Sequence, residues 1–330
     1  MPAPTVSVAL CTHNGMPFVR EQLRSILHQS QPPAQLVVSD DASSDGTVSA
    51  VKDIMSRFRA ERPTEGVALT LLENAAPLGV TANFEQAVLA CTGEFIALCD
   101  QDDSWVPERL AAATARFMAE PGLLLLFSDA RLVNAEGEPL GENLFEAIGF
   151  SAREKREVHG GRALDTLLRR NVVTGATTVF RRSLLESAVP FPAEWVHDEW
   201  LAIMAAVVGR IDFLPDALVD YRQHGKNHIG AGSPSGAELV GRLREPGTAR
   251  NKRLLGRARA FAGRLAAMGG VDRELVRGAE AKLAHEYARS GYPRSRFLRL
   301  GPVVLEAATG RYGRYGRARY DIPRDLFQPR

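Results

Sequence analysis

The sequence lacks a hydrophobic run long enough to cross a bilayer. The apolar stretch at residues 123–127 has the length of a strand, whereas a membrane-spanning helix needs about 20 residues. Cysteine is scarce: Cys11, Cys91 and Cys99 are odd in number and lie in apolar contexts, which predicts reduced core cysteines and favours the cytoplasm. The first residues have neither a basic n-region nor an apolar h-region, so no signal peptide is expected.

The chain also carries little net charge, +2 over 330 residues, but that charge is unevenly distributed. Residues 251–330 hold 18 basic and 7 acidic side chains, whereas the first 250 residues hold 23 basic and 32 acidic ones. A basic tail on an acidic body suggests that the tail has a polyanionic neighbour. A content of 45% hydrophobic and 24% charged residues is typical of globular proteins and excludes a disordered polymer.

Short apolar runs and amphipathic stretches alternate along the first 130 residues. Helical patterns between these runs cover residues 18–29, 47–59 and 107–120, and another helix begins at Gly79. This alternation with short connections predicts an α/β fold with a mostly parallel sheet and helices on both faces. The predicted strands are residues 6–11, 36–39, 67–72, 95–98 and 123–127.

Beyond residue 129 the pattern is looser. We interpret 130–160 as irregular or edge-strand material, 162–170 and 197–208 as helices, and 177–180, 211–214 and 217–221 as strands. The segment GAGSPSG at 230–236 has the composition of a linker. The predicted organisation is therefore a domain over 1–230, with a donor half of about 1–130 and an acceptor half of about 131–230. A linker at 231–236 and a helical basic C-terminal region at 237–330 follow it.

Polar residues follow three of the predicted strands: THN at 12–14, DD at 40–41 and DQDD at 100–103. In open α/β sheets, ligands bind outside the carboxyl ends of the strands. Asp and Asn also favour turns in general, so a single such segment carries little information. Three of them at one sheet edge predict a binding site.

The segment DQDD sets three carboxylates within four residues. Like charges repel, and burying them without a counter-charge is costly. A divalent cation would resolve the conflict, and oxygen ligands suit Mg²⁺ or Mn²⁺. The alternative is a solvated acidic turn.

Four segments in order resemble the family 2 glycosyltransferases with a GT-A fold, the fold of nucleotide-diphospho-sugar transferases. They are VSVALCTHNG (6–15), SDDASSDGT (39–47), GEFIALCDQDDSW (93–105) and VHDEW (196–200). The resemblance covers roughly residues 5–230. Together with YRQHG (221–225), the segments DQDDSW and HDEWL resemble the rhamnosyltransferase-like branch of the family.

The resemblance implies roles for the residues at the donor side. Asp100-Gln101-Asp102 matches the Asp-x-Asp motif, so Asp102 would ligate the metal and Asp100 would hold the ribose or a metal-bound water. Asp41 would accept the N3–H of a uracil or thymine ring, and Thr12 and Asn14 would border that base.

Three further residues near the donor side have less defined roles. Asp40 would cap or orient the loop and Asp103 would lie behind the metal ligands. Asn83 would either reach the nucleotide or be an ordinary surface residue.

Asp198 is the candidate general base, because attack by an acceptor hydroxyl needs a carboxylate to take the proton. The alternative is a plain helix N-cap, and His197 and Glu199 are competing bases. Arg222 suits a diphosphate leaving group, and His224 could complete the metal shell.

The implied function is that of an inverting, metal-dependent glycosyltransferase. It would move L-rhamnose from dTDP-rhamnose to a saccharide or lipid-linked saccharide in surface-polysaccharide synthesis. Transfer of another sugar from a UDP-hexose or UDP-N-acetylhexosamine is the main alternative. A nucleotidyltransferase and a non-catalytic sugar-nucleotide-binding module are the others.

The basic tail, residues 237–330, has three candidate partners. A basic amphipathic segment suits an anionic membrane surface or a lipid-linked acceptor, which would place a cytoplasmic protein at the inner face of the membrane. The tail could instead dock on the acidic body. No RNA- or DNA-reading motif is present, so no nucleic acid partner is expected.

Overall fold

The structure is a computed structural model that describes residues 4–64, 66–224 and 247–329. The chain divides into two compact units. The first comprises Met1–Gly161 and Val173–Gly232, and the second comprises Arg162–Val172 and Ser233–Arg330. The segment Arg162–Val172 groups with the C-terminal helices, so the second unit is not continuous in sequence. The predicted domain boundary near residue 230 stays a prediction. The predicted linker at 231–236 lies outside the described residues.

A single twisted sheet forms the centre of the first unit. Its order is β3-β2-β1-β4-β8-β6-β9-β5, with β7 paired to β6. The neighbouring strands β3, β2, β1 and β4 are all parallel to one another. β8 runs antiparallel to both of its neighbours, β4 and β6, and β6 is parallel to β9. The strands are β1 (Val6–Thr12), β2 (Gln35–Asp40), β3 (Ala68–Glu73), β4 (Phe95–Cys99), β5 (Ser104–Trp105), β6 (Leu123–Val133), β7 (Pro139–Asn143), β8 (Thr178–Arg181) and β9 (Arg210–Arg222).

Helices surround this sheet and build the second unit. In chain order they are α1 (Val19–Leu27), α2 (Thr47–Glu61), α3 (Val80–Leu89), α4 (Arg109–Ala119), α5 (Leu144–Ala147), α6 (Ala152–His159), α7 (Ala163–Arg169), α8 (Leu185–Ala188), α9 (His197–Val208), α10 (Gly247–Ala267), α11 (Arg273–Ser290), α12 (Arg296–Ala308), α13 (Arg311–Tyr315) and α14 (Ala318–Phe327). Helix α7 and helices α10 to α14 belong to the second unit. No helix of the described residues is long and apolar enough to span a membrane.

The central strands are buried throughout because helices cover both faces of the sheet. Every residue of β1, β2 and β4 is buried, as expected for parallel strands in the middle of an α/β sheet. Cys11, Cys91 and Cys99 are buried and unpaired, which confirms the prediction of reduced core cysteines. The predicted parallel α/β sheet is confirmed as well.

Residues 130–160 were expected to be irregular or edge-strand material. β6 continues to Val133 and pairs with β7, which agrees with the edge-strand part of that expectation, whereas the helices α5 and α6 were not predicted. The two strands predicted at 211–214 and 217–221 are one strand, β9. Its register against β6 shifts between Leu214 and Ala217, so Pro215 lies in a bulge, where a missing N–H is tolerated.

The interior of the second unit contains several buried charged side chains next to apolar ones such as Phe261 and Leu265. Arg289, Glu286 and His285 on α11 are buried, as are Arg299 on α12 and Asp325 on α14. A small apolar cluster of Tyr292, Val303 and Tyr312 accompanies them. Charged side chains thus occupy positions where helical packing usually places leucine and valine.

Candidate active site

The three polar strand ends meet at one edge of the sheet. Parallel pairing sets Thr12 of β1 opposite Asp40 of β2, and Leu10 opposite Cys99 of β4. The hydroxyl of Thr12 donates to Asp40 Oδ2 over 2.7 Å. The loops after β1, β2 and β4 therefore lie side by side, as the strand order predicted.

Asp40 and Asp41 have different partners. Asp40 accepts hydrogen bonds from the backbone N–H of Ser43 at 2.8 Å and from its hydroxyl, which confirms its predicted role in orienting the loop. Asp41 accepts from the backbone N–H groups of Leu78 at 2.6 Å and Gly79 at 3.0 Å, at the start of α3. An ionised carboxylate has about four acceptor positions, so Asp41 retains capacity for a base N–H.

Asn14 and Asn83 connect elements of the site. Asn14 has a left-handed backbone (φ 49°), and its Oδ1 accepts from Ser44 N over 2.9 Å, joining the first two loops. Asn83 is buried on α3; its Oδ1 accepts from the Ser39 hydroxyl and its Nδ2 donates to the Ser39 carbonyl. Asn83 is thus not a surface residue, because it fastens α3 to the end of β2.

Gln101, the middle residue of the Asp-x-Asp motif, holds the loop after β1. Its Oε1 accepts from His13 N at 2.8 Å, and its Nε2 donates to His13 O at 3.1 Å. A Cβ on residue 15 would lie 2.3 Å from Gln101 Oε1, so Gly15 makes room for this amide. The sequence did not predict that Gln101 binds the backbone of His13 or that Gly15 makes room for it, because Gln101 was taken only as the variable residue of the Asp-x-Asp motif.

The carboxylates after β4 repel one another in a poorly hydrated position. Burial, followed by the charges of Asp102 and Asp198, raises the pKa of Asp100 to about 7. Burial and the same kind of repulsion raise the pKa of Asp103 well above its ordinary value. Asp103 Oδ1 accepts from Arg222 N at 3.0 Å, whereas its Oδ2 has no hydrogen-bond partner among the described residues.

A buried arginine lies behind this cluster. Arg109 at the start of α4 is 1% exposed, stacks over Trp105, and lowers the pKa of both Asp100 and Asp103. Its charge does not offset burial and mutual repulsion, because the net shift of both carboxyls is upward. Sequence reasoning did not identify Arg109, whose only signal is a basic residue at the start of a largely apolar helix that also carries Arg116.

Asp102 and His224, the two predicted metal ligands, are in direct contact. His224 Nε2 lies 2.7 Å from Asp102 Oδ2, and the imidazole stacks on Phe18 with ring centroids 5.1 Å apart. Within the described residues, no group of three or more His, Cys, Asp and Glu side chains could hold a metal. One carboxylate and one imidazole could hold a cation such as Mg²⁺ or Mn²⁺, which takes its other ligands from water and phosphate.

Arg222 at the end of β9 is buried and engaged with protein groups. Its Nε donates to the Asp102 carbonyl at 2.8 Å, and its Nη1 to the Ala135 carbonyl at 2.9 Å. Its Nη2 donates to Glu21 Oε2 over 2.9 Å. These contacts orient the backbone of Asp102, so Arg222 supports the site from behind. A direct contact with the donor diphosphate stays a prediction.

Asp198 lies in the first turn of α9 and is almost completely buried. Its Oδ2 accepts from Gly175 N over 2.8 Å, and its Oδ1 accepts from Glu199 N over 2.7 Å. Since its charge raises the pKa of Asp100, the two carboxylates share one electrostatic environment. The chain thus brings Asp198 to the edge where β4 ends, although 98 positions separate it from Asp100.

The neighbouring His197 is a poor alternative base. Its ring stacks on Phe84 at 3.8 Å between centroids, and burial lowers its pKa to about 3. Neither ring nitrogen has a hydrogen-bond partner among the described residues. An imidazole with so low a pKa takes up a proton weakly near neutral pH.

The sequence profile described as Glycosyl transferase family 2 matches residues 7–187. An uncharacterized protein of Mycobacterium tuberculosis (strain H37Rv) is 27% identical over 225 residues, covering 66% of this chain and 59% of the relative. The putative teichuronic acid biosynthesis glycosyltransferase TuaG of Bacillus subtilis is 29% identical, over 42% of this chain and 51% of its own. The chain thus spans between half and three fifths of these relatives.

Solved structures share the fold. S. aureus TarS 1-349 in complex with UDP-GlcNAc is 19% identical with a TM-score of 0.56, over 86% of this chain and 72% of that one. A mannosyltransferase from Pyrobaculum calidifontis, in complex with GDP-Man and Mn²⁺, is 23% identical with a TM-score of 0.52. That match covers 98% of this chain and 85% of the mannosyltransferase. These matches confirm the predicted GT-A fold.

Proposed function

The chain belongs to glycosyl transferase family 2, and we propose from this premise that it transfers a sugar from a nucleotide diphosphate to an acceptor hydroxyl with inversion. The observation that carries the proposal is the convergence of Asp100, the Asp102–His224 pair and Asp198 at one sheet edge. A binding module would need no buried carboxylate in the position of Asp198. A nucleotidyltransferase usually has a Gly-rich basic loop after its first strand, and THNGMP (12–17) is not such a loop.

The nucleotide would bind along the loops after β1 and β2. Asp41 would accept the imide N–H of uracil or thymine alongside its two backbone donors, and Thr12 and Asn14 would border the base. Asp100 would hold the ribose or a metal-bound water. The internal hydrogen bonds of these loops support the assignment, since a rigid loop positions a ligand with little loss of entropy.

Asp102 and His224 would hold a Mg²⁺ or Mn²⁺ ion. When bound, the ion neutralises the negative charge that develops on the departing nucleoside diphosphate. Arg222 keeps Asp102 in place through its backbone carbonyl. The excess of carboxylate charge at this edge supports a cation there, because a cation would relieve the repulsion that raises the pKa of Asp100.

Asp198 would act as the general base. Its carboxylate takes the proton of the acceptor hydroxyl while that oxygen forms a bond to the anomeric carbon. The bond from this carbon to the diphosphate breaks on the opposite face, which inverts the configuration. Hydrogen bonds from Gly175 and Glu199 stabilise the ionised form of Asp198 and orient it.

The best-supported donor sugar is L-rhamnose from dTDP-rhamnose, because of the motifs DQDDSW, HDEWL and YRQHG. A UDP-hexose or UDP-N-acetylhexosamine is the alternative. The acceptor would be a saccharide or lipid-linked saccharide of a surface polysaccharide, which is consistent with the teichuronic acid relative. The protein would then act in the cytoplasm, at the inner face of the membrane, with 237–330 as its membrane-contacting region.

Thermal unfolding of the full chain with different donors tests this function. We expect one nucleotide sugar among dTDP-rhamnose, UDP-hexoses, UDP-N-acetylhexosamines and GDP-mannose to raise the melting temperature in the presence of Mn²⁺. EDTA should reverse the shift, and Asp102→Asn should abolish its Mn²⁺-dependent part. Asp53→Asn, a matched change at an exposed carboxylate on α2, should leave the shift intact. If no donor shifts the transition with either Mn²⁺ or Mg²⁺, the proposal is wrong.

A further inference from the structure

Helix α12, residues Arg296–Ala308, buries two charged side chains beside Val303 and exposes large apolar ones. The side chains that face the interior of the second unit include Arg299 and Glu306, which are 0% and 7% exposed. The outward side chains are large and apolar, and Phe297 at 94% and Leu305 at 71% are among the most exposed hydrophobic residues described. We name these outward residues the outer face of α12: Phe297, Leu298, Leu300, Val304 and Leu305.

The helical repeat makes this face continuous. At 3.6 residues per turn, the five side chains lie within an arc of less than half the helix circumference. The other exposed positions inside that arc are Gly301 and Ala308, so no charged residue interrupts it. A soluble helix normally shows the opposite arrangement, with its apolar side inward.

Buried polar contacts fix the orientation of the helix. Arg299 donates to the carbonyls of Pro293 at 2.7 Å, Arg294 at 2.7 Å and Gln328 at 2.6 Å. Glu306 Oε1 lies 2.8 Å from His285 Nδ1. Rotating α12 to bury its apolar side would break these contacts, so the outer face is a stable property of the second unit.

Exposed arginines precede and follow α12 along the chain. Residues 291–320 contain seven arginines and one acidic residue, Glu306, which faces inward. Arg294 and Arg296 are exposed at the start of α12, and Arg314, Arg317 and Arg319 are exposed beyond its end. A second copy of the chain on this face would bring arginines against arginines, whereas a surface of anionic lipid headgroups complements them.

We propose that the outer face of α12 binds an anionic phospholipid membrane, with the helix lying in the plane of the interface. A 13-residue helix is about 20 Å long and cannot cross a hydrocarbon core of about 30 Å. Its apolar side chains would enter the acyl boundary while the flanking arginines contact phosphates. This inference deepens the proposed function, on which it rests for the lipid-linked acceptor, by naming the surface that reaches the membrane.

Vesicle flotation of the full-length protein tests the inference. Vesicles of phosphatidylcholine with phosphatidylglycerol should carry the protein, and vesicles of phosphatidylcholine alone should carry much less. The double variant Phe297→Gln/Leu305→Gln should bind at least about tenfold more weakly, because two exposed apolar side chains are removed. The matched control Leu89→Gln/Met118→Gln changes two equally apolar exposed residues of the first unit and should bind like the wild type.

A fluorescent probe gives a second measurement that does not require loss of binding. The three native tryptophans are buried, so the emission of Phe297→Trp should report its own surroundings. Its emission should shift to the blue on addition of anionic vesicles, and that of Leu89→Trp should not. Donor-induced thermal stabilisation should be the same in wild type and Phe297→Gln/Leu305→Gln, so loss of membrane binding and loss of the transferase site are separable.

Two results would overturn the inference. One is equal flotation of wild type and Phe297→Gln/Leu305→Gln, or no flotation of either. The other is a concentration-dependent dimer of the wild type that the double variant dissolves, without vesicle binding, which would make the outer face a protein interface.

Discussion

The two units of the chain bury charge in opposite ways. At the sheet edge of the first unit, burial and the charges of nearby carboxylates raise the pKa of Asp100 and Asp103. Asp103 Oδ2 has no hydrogen-bond partner among the described residues. In the second unit, Arg289 lies between acids, with its Nε 2.6 Å from Asp325 Oδ2 and its Nη1 3.1 Å from Glu286 Oε2. Burial opposes the charge of Arg289, yet the neighbouring carboxylates outweigh it and raise its pKa.

This difference separates a binding site from a scaffold. A charge cluster that is compensated internally has no need of a ligand and holds helices together. A cluster with excess negative charge is less stable alone and gains from a cation or a hydrogen-bond donor. Buried charge by itself therefore does not mark a functional site; its lack of compensation does.

The largest expected effect is a loss of turnover on removing the proposed base at the sheet edge of the first unit. Asp198→Asn keeps an oxygen for the Gly175 N–H but removes the base, so kcat for release of nucleoside diphosphate should fall by about 10²–10⁴-fold. Steady-state assays with the donor that stabilises the protein measure this. Glu199→Gln, the adjacent carboxylate, should retain near-normal kcat. Unchanged turnover in Asp198→Asn would exclude Asp198 as the base. An equal loss of turnover in Glu199→Gln would mean that the two carboxylates cannot be told apart and would contradict the specific assignment to Asp198.

The next largest effect is a loss of stability on removing the central cation of the charge network in the second unit. Arg289→Met leaves Glu286 and Asp325 buried without their central cation, and should lower the free energy of unfolding by about 3–5 kcal/mol. Urea denaturation followed by circular dichroism measures the loss. The same substitution at Arg259, an exposed residue of α10, should change stability by less than about 0.5 kcal/mol. Comparable stability of the two variants would show that the network is not a scaffold.

The smallest expected effect is the dependence of stability on pH that the buried His197 causes in the first unit. Burial holds the pKa of His197 at about 3 against 6.5 for the free side chain, so the unfolded chain binds a proton first as the pH falls. Stability should therefore decrease below about pH 6.5, and this residue should account for about 2 kcal/mol by about pH 5. His197→Phe, which keeps the stack on Phe84, should remove that part of the pH dependence.

Urea denaturation at several pH values separates this contribution from the rest. His28→Gln, at an exposed histidine of the same chain, should leave the pH profile unchanged. If His197→Phe loses stability on acidification as steeply as the wild type, His197 is not the group responsible.

Much of the candidate site could be predicted because Asp102 and His224 come after strands, whereas Asp198, in the first turn of α9, was expected from the motif HDEWL. Asp102 and His224 are in contact as expected, and Asp198 is near Asp100 as the motifs implied. Gln101 and Arg109 could not be predicted, because their partners, His13 and Leu98, lie 88 and 11 residues away and meet them only in the folded chain. A side chain whose function is to hold another loop has no local pattern.

The fold after residue 129 was less predictable for a similar reason. β8 pairs antiparallel between β4 and β6, and β9 runs past a bulge at Pro215 that reads locally as the end of a strand. Strands were predicted at 177–180, 211–214 and 217–221, but their pairing was not, because the partner strands lie far along the chain and leave no local pattern.

The sequence by itself determined the parallel α/β sheet and the polar strand ends, because both depend on the period of apolar residues and on turn-forming side chains along short stretches. It also determined that the C-terminal region is basic. Only the tertiary structure decided which side of α12 faces outward. Arg299 and Glu306 find their partners at Gln328 and His285, on other parts of the chain, and those buried contacts turn five apolar side chains toward the solvent.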